Sequence, residues 1–212
     1  MSTTRLIYVG DPMCSWCYGF GPQLTALCEA LGDRAGLQVI LGGLRPYTAQ
    51  PWDETLRGHL RQAWQNVARA SGQPFNFGLL EREDFVYDTE PACRAVVTAH
   101  AMRLDAALPM FLAIQDAFYR DNLDPAEPEV LGSIAGQNGL EEDEFLSRFT
   151  TEEMQTTTRA HFEASRRMGV QGFPTVLIEG EGQVGLLAHG YAQAEPMIEA
   201  AEQFLAGESP SP

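Results

Sequence analysis

The sequence contains no lysine: its 14 basic residues are all arginine and stand against 29 acidic residues, which gives a net charge of −15. Without lysine, Schiff-base chemistry and lysine general-base catalysis are excluded. Nucleic acids and anionic membrane surfaces would repel a chain with a pI near 4.5, so neither is expected as a partner. The acidic excess is explained most simply by solubility.

Long apolar runs are also missing. No stretch approaches the roughly 20 apolar residues that a membrane-spanning helix requires. The first apolar run, residues 6–9, has the length of a strand, and no small-residue cleavage site of a signal peptide follows it. We therefore expect a cytoplasmic protein, and the oligomeric state stays open.

Cysteine is scarce, with four residues in 212, too few for a secreted scaffold held together by disulfides. In a reducing compartment a close cysteine pair is typically catalytic or metal-binding, and Cys14 with Cys17 forms such a pair. Cys28 and Cys93 each lie within an apolar helical stripe and are interpreted as small core residues. Whether these two form a second redox pair is left open.

The pattern of the first 43 residues is strand, helix, strand. Residues 5–10 and 37–41 are short apolar runs, and residues 23–31 carry the i, i+3, i+4, i+7 spacing of a core-facing helix. This order predicts two parallel strands joined by a right-handed crossover.

Residues 52–169 carry little strand signal and a succession of helical stripes. Thr89 is a plausible N-cap with Pro91 in the first turn, and Thr150 with Glu153 has capping-box spacing for a helix to about Met168. The other stripes are Leu56, Leu60, Trp64 and Val67; Cys93, Val96, Val97, Ala101 and Leu104; residues 110–119; and residues 129–135.

Strands return near the C-terminus. Residues 175–179 and 184–189 flank a glycine-containing hairpin turn, and a last helix over residues 194–206 is closed by Gly207. The pattern predicts an α/β protein with a thioredoxin-like fold and a large all-helical insertion. The expected division is a thioredoxin-like domain (1–48 and 170–207), a helical insertion subdomain (49–169) and a disordered tail (208–212).

The Cys14-Ser15-Trp16-Cys17 motif lies between the first strand and the first helix, where ligands of parallel sheets are bound. A thiol on the first helical turn faces unpaired N–H groups and the positive end of the helix dipole, which favours its thiolate. Cys17 follows one turn later, within reach of a mixed disulfide formed at Cys14. The motif predicts Cys14 as the nucleophile and Cys17 as the resolving residue.

The main competing interpretation of a C-x-x-C motif is half of a zinc site. Such a site needs two more ligands, and the four histidines show no paired spacing: His59, His100, His161 and His189. We therefore expect neither a metal nor a cofactor.

Two prolines bear on the site. Pro22 either kinks a helix that begins near Cys14 or precedes a helix that begins later, and the residues leave both possibilities open. Pro174, in Gly172-Phe173-Pro174, precedes a strand; a cis bond there would place a tight turn beside the cysteines, where an extended substrate segment pairs as an added strand. Sequence physics alone gives the cis form little weight.

Together the Cys14–Cys17 motif, Pro22, the Phe173-Pro174 dipeptide and the helical insertion resemble the DsbA family of thioredoxin-fold proteins, in particular its cytoplasmic FrnE-like branch of predicted disulfide isomerases. The resemblance covers roughly residues 5–206. It implies that Pro174 is cis, that Phe173 lies against the active-site sulfurs and that the helical block caps the site. Gly172, Phe173 and Pro174 are then substrate-binding residues, while Ser15 and Pro22 are structural.

Extracytoplasmic DsbA oxidants carry Pro-His between the cysteines, whereas this chain has Ser15-Trp16. Without an imidazole, one source of thiolate stabilisation is missing, which predicts a weaker oxidant suited to reduction or isomerisation. The expected partners are disulfide-containing proteins or glutathione-type thiols. Trp16 either offers an apolar face to these substrates or packs against the helical block.

Two other functions remain as alternatives. Kappa-class glutathione transferases and hydroxychromene-carboxylate isomerases share the architecture, but they act with a single Ser or Cys at the position of Cys14 and have no use for Cys17. A peptide-binding, chaperone-like module with incidental thiols ranks last, because exposed thiols are costly to keep in an oxidising cell.

Overall fold

The structure, a computed structural model, describes residues 4–207. Within this range the chain begins with strand β1 (Arg5–Gly10), helix α1 (Ser15–Leu31) and strand β2 (Gly36–Leu41), and it ends with strands β3 (Thr175–Gly180) and β4 (Gln183–His189) and helix α8 (Ala194–Leu205). Between β2 and β3 lie α2 (Glu54–Ser71), α3 (Glu90–Met102), α4 (Ala107–Tyr119), α5 (Pro128–Gln137), α6 (Glu142–Phe149) and α7 (Glu152–Arg167). The predicted order of elements is confirmed.

The four strands form one mixed sheet in the order β2-β1-β3-β4. β1 is parallel to β2 and antiparallel to β3, and β4 pairs antiparallel with β3. Because β1 and β3 run in opposite directions, the end of β1 lies beside the start of β3, with Val9 opposite Thr175. The loop that carries the cysteine motif and the segment that ends in Pro174 therefore meet at one edge of the sheet.

Helix α1 begins at Ser15 and continues through Pro22, so the possibility that the helix begins only after Pro22 is wrong. Pro22 has no N–H group to donate to the carbonyl of Tyr18, so this helix lacks one internal hydrogen bond. Pro22 lies on the exposed side of α1. The early start of the helix is what places Cys14 at its N-terminus.

The helical block differs from the sequence prediction in detail. The stripe of α2 is confirmed, but Leu104 lies beyond the end of α3 and is 81% exposed, because Arg103 already leaves the helical conformation. The N-cap of α7 is Thr151 and not Thr150: the Thr151 side chain accepts a hydrogen bond from the Met154 N–H, while Thr150 ends α6. The residue-by-residue stripes gave no indication of α6.

The C-terminal hairpin turns through Glu181 and Gly182, both with positive φ, as a two-residue turn between right-twisted strands requires. Gly207 follows α8 with φ of 73°, in agreement with its predicted position. The predicted tail, residues 208–212, lies outside the described residues, and the division into two domains stays a prediction.

One buried apolar cluster runs without interruption from the sheet into the helical block. It includes Leu6 and Tyr8 on one face of β1 and Phe111 and Phe118 of α4. The cysteine loop belongs to the same cluster, so side chains of the helical block pack against the buried side of this loop. No helix among residues 4–207 combines the length and apolarity needed to cross a membrane.

Candidate active site

Cys14 occupies the N-cap position of α1, and its side chain is 6% exposed. Its N–H donates to the Asp11 carbonyl at 3.0 Å, and its own carbonyl accepts from the Tyr18 N–H at 3.0 Å. The first turn of α1 holds no acidic residue, so the positive end of the helix dipole is not neutralised there. Within the described chain all four cysteines, Cys17, Cys28 and Cys93 included, are free thiols.

The segment before β3 lies directly against Cys14. The Phe173–Pro174 bond is cis, as the resemblance implies, and the Cys14 Sγ lies 3.8 Å from the Phe173 carbonyl oxygen. The Phe173 ring points elsewhere: a Cβ added to Gly42 would lie 2.0 Å from its Cζ. The part of Phe173 that faces the sulfur is therefore its backbone.

Cys17 is completely buried. Burial raises the pKa of its thiol well above the ordinary value, and the neighbouring Cys14 raises it further. Hydrogen bonds from the Tyr8 hydroxyl and the Asp11 backbone act in the opposite direction. At neutral pH Cys17 is therefore a protonated thiol next to the more accessible sulfur of Cys14.

Asp11 is a buried carboxylate that ties three segments together. Its Oδ1 accepts from the Met13 N–H at 2.8 Å, and its Oδ2 accepts from the Leu44 N–H at 2.6 Å and from the Cys93 thiol at 3.5 Å. Burial raises the pKa of Asp11, whereas these donors oppose the rise. The carboxylate thus joins the cysteine loop to the β2–α2 connection and to α3.

Buried tyrosines surround the underside of the cysteine loop. The Tyr87 hydroxyl donates to the Met13 carbonyl, and Tyr8 and Tyr119 belong to the same buried cluster as both active-site cysteines. Burial, first of all, raises the pKa of all three phenols well above the ordinary value. At neutral pH all three are therefore neutral phenols and not bases.

Two aromatic residues form the half-buried surface next to Cys14. The ring centroids of Trp16 and Tyr191 are 6.0 Å apart, and the Tyr191 hydroxyl donates to the Ala70 carbonyl of α2 at 3.3 Å. Tyr191 follows β4, so the ring that packs on Trp16 is not part of the helical block. Ser15, the first residue of α1, is half-buried beside Trp16.

Of the residues predicted for the site, Cys14, Cys17 and Phe173 come together, and Pro174 adjoins them as the residue after Phe173. Gly172 helps to form the turn: its carbonyl accepts from the Thr175 hydroxyl at 2.9 Å. The sequence patterns assigned no role at the site to five residues that lie there: Tyr8, Asp11, Tyr87, Cys93 and Tyr191. Within residues 4–207, no group of three or more His, Cys, Asp or Glu side chains is placed to hold a metal ion.

The chain matches the family model described as the DSBA-like thioredoxin domain over residues 5–195. No curated protein matches it in sequence. Among solved structures, a candidate protein disulfide isomerase from Nitrosomonas europaea is 32% identical, with 98% of this chain and 100% of that chain covered and a TM-score of 0.91.

The cytosolic disulfide reductase DsbM from Pseudomonas aeruginosa is 29% identical, with 95% of this chain and 98% of that chain covered and a TM-score of 0.80. A structure of DsbM with GSH matches at 30% identity over 95% of this chain and 99% of that chain, with a TM-score of 0.77. The predicted thioredoxin-like fold with its helical insertion is confirmed, and the chain belongs to the DsbA-like thioredoxin family.

Proposed function

We propose that this protein is a cytosolic thiol–disulfide oxidoreductase that reduces or isomerises disulfides of proteins and of small thiols through Cys14 and Cys17. The observation that supports this most directly is a thiol at a helix N-terminus, 6% exposed and 3.8 Å from the Phe173 carbonyl oxygen, followed one turn later by a completely buried thiol. The location rests on the cytosolic relative, which is described as a disulfide reductase.

The two cysteine thiols supply the electron pair that reduces one substrate disulfide. The Cys14 thiolate attacks one sulfur of a substrate disulfide, that disulfide breaks, and the distal substrate sulfur leaves as a thiolate. Cys17 then attacks Cys14 Sγ, the mixed disulfide breaks, and the second substrate sulfur departs with the proton that Cys17 gives up. The products are a Cys14–Cys17 disulfide and a substrate dithiol, and a small thiol such as glutathione returns the enzyme to its reduced form.

The backbone before β3 and the aromatic pair Trp16 and Tyr191 form the surface that receives the substrate. Phe173 presents its carbonyl 3.8 Å from the nucleophile, so an extended peptide that reaches Cys14 passes within hydrogen-bonding distance of this backbone. The rings of Trp16 and Tyr191 supply apolar area next to the reacting sulfur. Gly172 and Pro174 complete this surface.

The direction of electron flow follows from what stabilises the thiolate. The helix terminus favours it, but no imidazole lies between the cysteines and the buried Asp11 carboxylate lies close by. A less stabilised thiolate means a more reducing couple, which suits reduction or isomerisation better than oxidation.

A second candidate is a glutathione-dependent transferase or isomerase that uses Cys14 alone. One observation favours it: a relative of similar length has been solved with GSH. In that reaction Cys17 has no chemical step, whereas dithiol exchange cannot be completed without it.

Replacing Cys17 separates the two functions. Reduced Cys17→Ser is mixed with a peptide disulfide, and the products are identified by mass spectrometry without added reductant. We expect a persistent mixed disulfide at Cys14 and no release of the second peptide thiol, while the control Cys28→Ser releases it and forms the Cys14–Cys17 disulfide as the wild type does. Undiminished turnover of Cys17→Ser in a separate assay with glutathione supplied would favour the transferase instead.

A further inference from the structure

Tyr8 brings a hydroxyl group to the resolving thiol from within the sheet. Its ring is 1% exposed and packs between Phe20, at a centroid distance of 6.2 Å, and Phe111, at 5.3 Å. The phenol at the end of this fixed ring lies against Gly10 at the end of β1, in the same buried cluster as Cys17, and it lowers the pKa of that thiol. The packing leaves the hydroxyl little freedom to turn away from the sulfur.

The backbone next to Tyr8 accommodates this approach. A Cβ added to Gly10 would lie 2.6 Å from the Tyr8 hydroxyl oxygen and 2.7 Å from its Cζ, closer than real Cβ contacts come. The space that allows the phenol to lie beneath the cysteine loop is therefore the space that a side chain at position 10 would fill. Two residues of β1 thus combine to place one hydroxyl at Cys17.

The burial of Cys17 disfavours the second step of disulfide exchange. To attack the mixed disulfide it must develop negative charge, and complete burial opposes a charge at this position. The groups that favour its thiolate are the Tyr8 hydroxyl and the Asp11 N–H, both neutral donors. Preorganised donors of this kind stabilise charge that develops in a buried site, as those of an oxyanion hole do.

We propose that Tyr8 is a catalytic residue of the resolving step, in which its hydroxyl donates to the Cys17 sulfur while this sulfur attacks Cys14. The inference rests on the dithiol exchange proposed above and concerns only its second half. The bond between Cys14 and the substrate sulfur breaks, the Cys14–Cys17 bond forms, and the Cys17 proton passes through solvent to the departing substrate thiolate. Tyr8 keeps its own proton throughout.

The role of a donor, as opposed to a base, agrees with the environment of the phenol. Burial first, and then the neighbouring Cys17, raises the pKa of Tyr8 well above its ordinary value. A phenol that holds its proton so firmly cannot accept the Cys17 proton as a phenolate at neutral pH. It stabilises the attacking sulfur through the hydrogen bond alone.

The test separates the two steps of exchange. Reduced wild type, Tyr8→Phe and the control Tyr18→Phe, whose lost hydroxyl donates to the Pro74 carbonyl at 2.9 Å, are mixed with oxidised glutathione. Samples are quenched with acid over time, and mass spectrometry counts free, glutathionylated and internally oxidised enzyme. The rise of the glutathionylated form reports the first step, and its decay reports resolution.

We expect Tyr8→Phe to form the mixed disulfide at the wild-type rate and to resolve it about 10 to 100 times more slowly, the range that a hydrogen bond to a charged group is worth. Its resolution rate should also need a higher pH to reach half of its maximum, because Cys17 loses a donor to its thiolate. Tyr18→Phe should match the wild type in both steps. Gly10→Ala, which displaces the hydroxyl with the phenol retained, should also slow resolution selectively.

Resolution by Tyr8→Phe at the wild-type rate, or an equal slowing of both steps, would overturn the assignment, since a structural role would affect both. A wild type that forms neither the mixed disulfide nor the Cys14–Cys17 disulfide would overturn the proposed function, and the assignment with it. If the wild type exchanges normally and Tyr8→Phe resolves the mixed disulfide equally fast, the assignment of Tyr8 is overturned while the proposed function stands.

Discussion

The Cys93 thiol donates a hydrogen bond to the Asp11 carboxylate, with Sγ and Oδ2 3.5 Å apart. Cys93 is completely buried on α3, in agreement with its interpretation as a core residue, but its sulfur contacts a charged group and not only apolar side chains. The contact connects α3 to the loop that carries Cys14. This contact explains the third thiol near the site as a structural donor to Asp11.

Two variants of Cys93 test this role. Cys93→Ser keeps a donor for Asp11, whereas Cys93→Ala leaves one lone pair of a buried carboxylate unsatisfied. We expect Cys93→Ala to lower the free energy of unfolding by about 1–3 kcal/mol and Cys93→Ser to lower it less, as measured by urea denaturation. Both should still form the Cys14–Cys17 disulfide, and loss of that disulfide in Cys93→Ser would show a redox role instead.

Gly42 tests the contact that holds the segment before β3. Because a Cβ there would overlap the Phe173 ring, Gly42→Ala should lower the free energy of unfolding by about 1–3 kcal/mol and slow thiol exchange. Gly36→Ala, at the start of the strand that precedes Gly42, is the control, since a Cβ at that position meets nothing within 4 Å. Equal stability and activity of the two variants would show that Phe173 does not depend on Gly42.

The buried thiols predict a loss of stability at alkaline pH. Burial raises the pKa of Cys17 and Cys93 well above the ordinary value and that of Cys28 from 9.0 to about 11. Such groups contribute stability that is fully present below the ordinary pKa and is lost as pH rises toward the raised value. The free energy of unfolding should therefore fall above about pH 9, by up to about 1.4 kcal/mol per pH unit for each fully buried thiol.

Denaturation of the reduced protein at a series of pH values measures this fall, and the control Cys28→Ser should show a shallower one. A free energy of unfolding that stays level from neutral pH to about pH 11 would contradict the assigned burial of the thiols.

Trp16 should matter for large substrates and not for small ones. Trp16→Ala removes apolar area beside Cys14, which should raise KM for a peptide disulfide about 3- to 10-fold and leave exchange with oxidised glutathione nearly unchanged. Leu104→Ala, a truncation of an 81% exposed residue, serves as the control for loss of surface apolar area. If both variants have the same KM, Trp16 is not part of the surface that binds the substrate.

The order of elements was predictable because each strand and most helices carry their own periodicity and end signals. The hairpin between β3 and β4 and the glycine after α8 are examples in which one residue type determines the local backbone. Helix α6 was missed because it is eight residues long and only Phe145 and Phe149 of it are buried. The cap of α7 was wrong by one residue because two threonines stand side by side.

The predicted part of the site is the part encoded locally, by the spacing of Cys14 and Cys17. The strand alternation that makes Leu6 a core residue also places Tyr8 on the same face, but no local signal shows that its hydroxyl reaches Cys17. Asp11 and Cys93 are 82 positions apart, and their contact depends on how α3 packs under the loop. Contacts made across the helical insertion could not be derived from single-sequence patterns.

The central claim, reversible dithiol exchange between Cys14 and Cys17, is tested most directly by equilibration of the protein in glutathione redox buffers. Free thiols are alkylated, and the disulfides are located by peptide mapping. We expect one two-electron transition that joins Cys14 to Cys17 and leaves Cys28 and Cys93 reduced, with a potential below about −200 mV. A transition at about −120 mV would contradict the reductase assignment, and stable glutathionylation of Cys14 without the internal disulfide would contradict dithiol exchange itself.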